Sequence, residues 1–217
     1  TNLFLLLLII IIFMNSNNIL FIPGYNMDSN CYLIDDMLVD TGTGTNEDYL
    51  ISQIEKQGIK RDDISLVVNT HCHFDHIGGN HFFEDAEIAV HELDAIPIRN
   101  EDTLGTAGTA FGFEDINNSS VDIELKDGDE IGGFKVIHTP GHTSGGICLW
   151  DGVNLISGDT VFSHGGVGRT DIGGDWNDLK ESGLKLTKLD VVNLFPGHGP
   201  IVEGSGKEHI RFSYRQF

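Results

Sequence analysis

After residue 18 the chain runs as short apolar stretches separated by glycine-rich polar turns, and their spacing separates strands from helices. Stretches too short for a helix occupy residues 19–22, 30–34 and 36–39, and the turn Asp40-Thr41-Gly42-Thr43-Gly44 closes the last of them. Residues 47–57 have helical spacing through Tyr49, Leu50 and Ile54, with Gly58 placed to end the helix. Residues 65–69 and 87–90 read as buried strands. Residues 101–120, rich in Gly, Thr, Asn and Ser, read as a loop or lid. Strands resume at 121–125, 134–138, 146–150 and 153–157, followed by a helix at 178–189 and a last strand at 191–195. Strands with interspersed helices in both halves predict two sheets sandwiched between helices.

The first residues break this pattern. Residues 3–14 are an unbroken apolar run, too short for an ordinary membrane span and closer in length to a signal-peptide core. Yet no Lys or Arg precedes Lys56, no small-residue cleavage site stands out, and the first residue is Thr1. A first strand, a truncated anchor or signal, and a sequence-end artefact are the competing readings. The expectation is that residues 1–18 are a non-functional extension or strand and that 19–217 form a single domain, for which the length suffices.

Composition narrows the partners. With 33 acidic against 13 basic side chains, the formal charge of -20 disfavours nucleic acid and leaves a small-molecule substrate as the expected partner. The bland reading of the acidity is solubility. Cys31, Cys72 and Cys148 are too few and too scattered for a disulfide framework, and each reads as a small buried apolar residue. A reduced, cytoplasmic protein fits this usage, with a membrane-anchored or exported form left open by the first residues.

The chemistry concentrates at strand ends. Thr70-His71-Cys72-His73-Phe74-Asp75-His76 follows the strand at 65–69 and places three histidines and an aspartate within six positions. His71 and His73 project together if the backbone stays extended, while Asp75 and His76 lie past a turn and can face a second ion. Cys72 sits inside the motif, but its neighbours are better ligands. His142 lies in Thr139-Pro140-Gly141-His142-Thr143-Ser144-Gly145-Gly146, Asp159 in Ser157-Gly158-Asp159-Thr160, and His198 in Phe195-Pro196-Gly197-His198-Gly199. Taken singly, each of these three is more often a capping or turn residue. Four strand-end clusters in one chain point to a shared site, and imidazole with carboxylate suits Zn, Fe or Mn.

These residues resemble the metallo-β-lactamase superfamily, whose ligand set runs His-x-His-x-Asp-His, then His, Asp and His. The resemblance spans about residues 19–200. It implies a four-layer αββα sandwich with two divalent metal ions, zinc first and iron or manganese as alternatives, at one edge between the sheets. By resemblance His71, His73 and His142 bind the first metal, Asp75, His76 and His198 the second, and Asp159 bridges both. An aspartate bridge disfavours antibiotic hydrolysis. Gly158-Asp159-Thr160-Val161-Phe162, followed by Gly168-Arg169-Thr170-Asp171, is similar to the glyoxalase II (hydroxyacylglutathione hydrolase) branch. That branch carries a glutathione-binding helical domain after the last histidine, whereas nineteen residues follow His198 here. Arg169 and Asp171 are expected beside the site as supporting or loop-shaping residues, or as a plain surface salt bridge.

The implied mechanism is hydrolysis of a thioester or related ester. Two metals roughly 3.5 Å apart share a hydroxide of lowered pKa and polarise the carbonyl, with Asp75 orienting the water or shuttling a proton. His81, His91, His138, His164 and His209 are left over, and His164 is the first to consider as an addition. The resemblance extends to persulfide dioxygenases, which hold one iron through positions matching His71, His142 and Asp159, and to lactonases, which share the ligand set. A non-catalytic binding module is the third alternative, against which the intact seven-residue set argues.

Overall fold

A computed structural model describes residues 19–113 and 120–217, so the expectation for residues 1–18 lies outside the described residues. Strands β1 (Leu20–Ile22), β2 (Cys31–Ile34), β3 (Met37–Val39), β4 (Leu66–Val68), β5 (Glu87–His91) and β6 (Ile123–Leu125) form one sheet in chain order. The second sheet is built from β7 (Glu130–Ile131), β8 (Phe134–His138), β9 (Ile147–Trp150), β10 (Asn154–Gly158) and β11 (Asn193–Pro196), in the order β11-β10-β9-β8-β7. The helices are α1 (Glu47–Glu55), α2 (Phe74–Ile77), α3 (Ala95–Arg99), α4 (Trp176–Thr187) and α5 (Gly206–Tyr214).

The layering follows from the two-residue period of the strands. Tyr32, Ile34, Met37, Val39, Val68 and Ala89 of the first sheet meet Phe134, Val136, Ile147, Leu149, Ile156 and Phe195 of the second in one central core. The alternate residues Cys31, Leu33, Leu38, Val67 and Ile88 face outward onto Leu50 and Ile54 of α1. Ile137, Cys148, Leu155 and Leu194 do the same on the other side, against Leu186 of α4 and Ile210 of α5. Both faces of both sheets are therefore covered, which is why the strands read as nearly continuous apolar runs. The expected αββα sandwich is the architecture observed.

Most predicted elements recur with ends shifted by one or two residues. Helix α4 begins at Trp176 rather than 178 because the Asp175 carboxylate accepts the backbone N–H groups of Asn177 and Asp178. Helix α5 lies outside the predicted elements: its packed face is Gly206, Ile210 and Ser213, where one apolar residue between two small ones leaves little apolar period. In the predicted lid, residues 101–113 fold into turns and a short 3₁₀ segment, Gly108–Phe111. Among the described residues, no helix is long and apolar enough to cross a membrane.

The topology brings the strand ends together. β3, β4 and β5 are mutually parallel, so their carboxyl ends share one edge of the first sheet. β10 and β11 are parallel, and β8 runs antiparallel to β9, which is antiparallel to β10; the carboxyl ends of β8, β10 and β11 therefore share one edge of the second. Hydrogen bonds tie the two edges together. Asn30 donates its backbone N–H to Gly197 O at 2.7 Å, the Tyr32 hydroxyl donates to Pro196 O at 2.6 Å, and Ile147 N–H donates to Thr70 O at 2.9 Å. Loops at the carboxyl ends of strands are where open α/β sheets place their ligands.

Candidate metal centre

Seven side chains converge at this edge. His71 lies in a bend after β4 and His73 in extended backbone beyond it, and α2 then turns the chain so that Asp75 and His76 return to the same point. His142 comes from the loop after β8, Asp159 from the end of β10 and His198 from the end of β11. They form three overlapping groups: His71, His73 and His142; His71, His76 and Asp159; and Asp75, His76 and His198. Within each group the candidate donor atoms lie within 4.8 Å of one another. Asp159 faces both ways, with Oδ1 3.4 Å from His76 Nε2 and Oδ2 3.5 Å from the Nε2 atoms of both His142 and His198. Asp75 Oδ2 lies 3.1 Å from His198 Nε2.

The ring nitrogens facing away from this centre are held. His76 Nδ1 is 2.8 Å from Asp40 Oδ2, His142 Nδ1 is 2.7 Å from the Arg169 carbonyl, and His71 Nδ1 is 3.1 Å from Thr70 Oγ1. The inward atoms are the opposite case. The Nε2 atoms of His71, His73, His76 and His142 and Oδ1 of Asp159 are buried without a hydrogen-bond partner. Each such orphan costs about 1–3 kcal/mol in an interior with nothing to satisfy it. A cation at the centre removes that cost at all five together, and imidazole nitrogen with carboxylate oxygen is a donor set for zinc, iron or manganese. The residues present fit a metal.

The charge balance supports the same reading. Burial, reinforced by neighbouring His76 and His142, pushes His71 well below the ordinary histidine range, and burial with His142 takes His73 down to about 3. Those two rings stay neutral and keep a lone pair available. Burial works against the charge on Asp159, but His76 and His198 hold its carboxyl well below the usual range. Burial likewise opposes protonation of His76, and Asp40, Asp159 and Asp75 override it. The centre thus has a neutral histidine half and a carboxylate-rich half.

Backbone crowding explains the glycines. A Cβ on Gly197 would overlap Asp159 Oδ1, and one on Gly168 would overlap the Asp159 carbonyl oxygen and press on His142. Only glycine lets these two loops approach so closely.

The braces were not visible in the sequence. Asp40 ends β3 beside the start of the histidine motif; its Oδ1 accepts from Thr70 N–H at 2.8 Å, and its Oδ2 accepts from Thr70 Oγ1 at 2.8 Å and faces His76. Asp94 accepts from Cys72 N–H at 2.9 Å, Thr143 Oγ1 at 2.7 Å and Gly145 N–H at 2.6 Å, locking the loop of His71–His73 to the loop of His142. An acidic residue in a Gly-Thr turn after a strand was the available signal for Asp40; Asp94 offered none.

Other expected residues fall at varying distances. Arg169 serves the centre through its backbone carbonyl, while its guanidinium is exposed and pairs with Asp171 through two contacts of 2.7 Å. Both the supporting role and the surface salt bridge are therefore present in one residue, and Asp171 is hydrogen-bonded to Arg169. His164 donates its backbone N–H to His209 Nδ1 at 2.9 Å, and the rings of His91 and His138 stack on each other. None of these four, nor His81, belongs to the three groups. Cys72 packs with Ile77 and Val90 away from the centre, and all three cysteines are buried and unpaired.

A cleft of about 420 Å³ opens over the centre. His73, Asp75, His142, Asp159 and His198 form its floor, and Met27, Phe111, Phe162, Val167 and Ile172 contribute apolar walls.

Comparison with known proteins agrees with this geometry. A family model described as the metallo-beta-lactamase superfamily matches residues 24–198. A probable metallo-hydrolase of Methanocaldococcus jannaschii is 35% identical over 213 residues, covering 90% of this chain and 97% of the relative. A human acyl-coenzyme A thioesterase is 32% identical over 154 residues, covering 58% of this chain and 54% of its own length. Among solved structures, a protein in a di-iron-bound form superimposes with a TM-score of 0.74 at 27% identity, covering 88% of this chain and 98% of that one. A B3 metallo-beta-lactamase does so with 0.76 at 26% identity, covering 90% and 99%.

Proposed function

Because the chain belongs to the metallo-beta-lactamase superfamily, we propose that it is a metal-dependent hydrolase of thioesters or related esters, glyoxalase II-like in its ligand set. The observation that carries this reading is Asp159, whose Oδ1 faces His76 and whose Oδ2 faces both His142 and His198, so that one carboxylate touches donors assigned to both ions. In this reading His71, His73 and His142 hold one divalent ion, Asp75, His76 and His198 hold the other, and Asp159 bridges them. Zinc is the first candidate, and iron or manganese suits the same donors. The thioesterase relative and the di-iron structural neighbour lend support to ester chemistry and to a paired site respectively.

A divalent metal bound there supplies Lewis-acid polarisation of a carbonyl and a lowered pKa for water. The chain's own residues do the rest. The apolar walls exclude bulk water from the acyl carbon. Asp75 keeps a carboxylate oxygen beside His198 at the cleft floor. Burial opposes its charge, but His76 and His198 hold it below the usual carboxylate range, so it is ionised and able to accept a proton from the attacking water. Water adds to the carbonyl carbon, the acyl–sulfur bond breaks, and the thiol leaves with a proton. Asp40 and the Arg169 carbonyl fix the rings of His76 and His142, and Asp94 fixes the loops that carry the histidines.

The test is metal content of protein purified without added metal, read beside turnover of S-lactoylglutathione and simpler thioesters. About two equivalents with turnover of any of these supports the hydrolase. One equivalent of iron, no thioester turnover and oxygen uptake with a persulfide replaces it with a dioxygenase.

A further inference from the structure

The walls of the cleft carry information about substrate that the seven-residue set does not. Met27 and Phe111 are large apolar side chains left 47% and 43% exposed, and both point into the cleft rather than into a core. Phe162, Val167 and Ile172 continue the apolar lining from the loops after β10. Phe111 is fixed in place. Its ring lies 5.1 Å from that of Phe74, the buried residue that follows His73 and precedes Asp75 in the chain, and the Arg169 guanidinium sits 5.9 Å from the Phe111 centroid.

Charge is the second observation. Arg169 is the sole Lys or Arg among the described residues lining the cleft. Its fork is already filled by Asp171, with Nε 2.7 Å from one carboxylate oxygen and an Nη 2.7 Å from the other. The pair takes up the Nε/Nη2 edge of the guanidinium and offsets its charge with that of Asp171. The acidic groups facing the cleft, Asp75 and Asp159, lie on its floor as candidate donors to the ions and take no part in its walls. Away from the floor, a substrate arm ending in a carboxylate therefore meets apolar walls and one arginine whose charge Asp171 already offsets.

Resting on the hydrolase reading above, we propose that the cleft selects an uncharged hydrocarbon acyl group, with Met27, Phe111 and Ile172 as the specificity-determining wall. Of the two arms of a thioester, the acyl arm is the one that can be purely hydrocarbon, since thiol carriers are polar or charged. The volume is in the range that encloses a small molecule. Each methylene that moves from water onto the wall adds about fourfold to binding.

Straight-chain acyl thioesters of N-acetylcysteamine, a neutral thiol, provide the experiment. With the metal-replete protein, kcat/KM is expected to rise about fourfold per methylene from acetyl until the wall is covered. The 4-methylpentanoyl thioester is expected to exceed its anionic isostere, the succinyl thioester, by at least tenfold. Phe111→Ala and Ile172→Ala are expected to flatten the slope to less than about twofold per methylene. A slope near one, or a succinyl thioester that matches its isostere, overturns the proposal.

A second readout separates this proposal from the hydrolase reading. Calorimetry with non-hydrolysable S-alkyl N-acetylcysteamine thioethers needs no turnover. If no thioester is cleaved, the hydrolase reading fails; a Kd that still falls several-fold per methylene, with the slope lost in Phe111→Ala, sustains the apolar wall. A Kd independent of chain length removes it.

Discussion

Substituting Asn for Asp40 tests whether the buried centre depends on its braces. Asp40 is 1% exposed and receives Thr70 N–H, Thr70 Oγ1 and His76 Nδ1, all at 2.8 Å. Asn keeps the size and the bond from Thr70 N–H. Its amide, however, presents N–H where the carboxylate presented oxygen, so His76 Nδ1 must accept. The ring proton moves to Nε2, the atom aimed at Asp159 and the candidate metal, and a protonated Nε2 cannot ligate. Loss of such a brace weakens metal affinity by about 10–100-fold, equivalent to about 1.4–2.7 kcal/mol. Competition against a chromophoric chelator measures this directly. One of two equivalents is expected to weaken by that factor, with kcat/KM falling in parallel and the chelated protein folding as before. Asp40→Ala differs in kind, because it leaves three buried donors unpaired at about 1–3 kcal/mol each and is expected to lower the melting temperature as well. If Asp40→Asn binds both equivalents as tightly as the parent chain, the tautomer argument is wrong and His76 is not a ligand through Nε2.

Three further outcomes follow from the same geometry. Gly197→Ala drives a methyl into Asp159 Oδ1 and toward His76, and a displacement of about 1 Å at a catalytic centre costs roughly a hundredfold in kcat/KM; steady-state kinetics with unchanged circular dichroism is the check. Phe134→Ala removes a fully buried ring from between the sheets and is expected to cost about 3–5 kcal/mol in urea unfolding. Burial, then the stacked His138 ring, pushes His91 from the ordinary 6.5 down to about 4. The unfolded chain therefore binds this proton first as pH falls, so the stability His91 contributes is present above pH 6.5 and is lost as pH drops toward about 4. Melting curves of the parent and His91→Gln are expected to converge across that interval, and NMR titration of His91 at an ordinary pKa contradicts the assignment.

The parts of the fold that were legible in the sequence are those written in local periodicity. The strand at 65–69 and the helix starting at Glu47 announce themselves through apolar spacing, and the ligand set announces itself because His71, His73, Asp75 and His76 are adjacent in the chain. The pairing of Asp94 with Gly145 is not local: 51 positions separate the two, and nothing near either predicts the other. Helix α5 was illegible because it packs through Gly206 and Ser213 as much as through Ile210. The walls of the cleft were equally hidden, since Met27, Phe111 and Ile172 come from three loops that only the folded sheets bring together.

Phe74 shares its backbone with His73 on one side and Asp75 on the other, while its ring supports Phe111 and Phe113 at 5.1 and 4.6 Å. Its N–H is tied to Thr106 O at 2.9 Å, so the segment that roofs the cleft is fastened to the residues beneath it. A molecule that presses on Phe111 bears on Phe74, whose two neighbours in the chain are candidate donors of the centre. Thermodynamic reciprocity then applies: by whatever factor occupancy of the roof alters affinity for the ion, the ion alters affinity at the roof by the same factor.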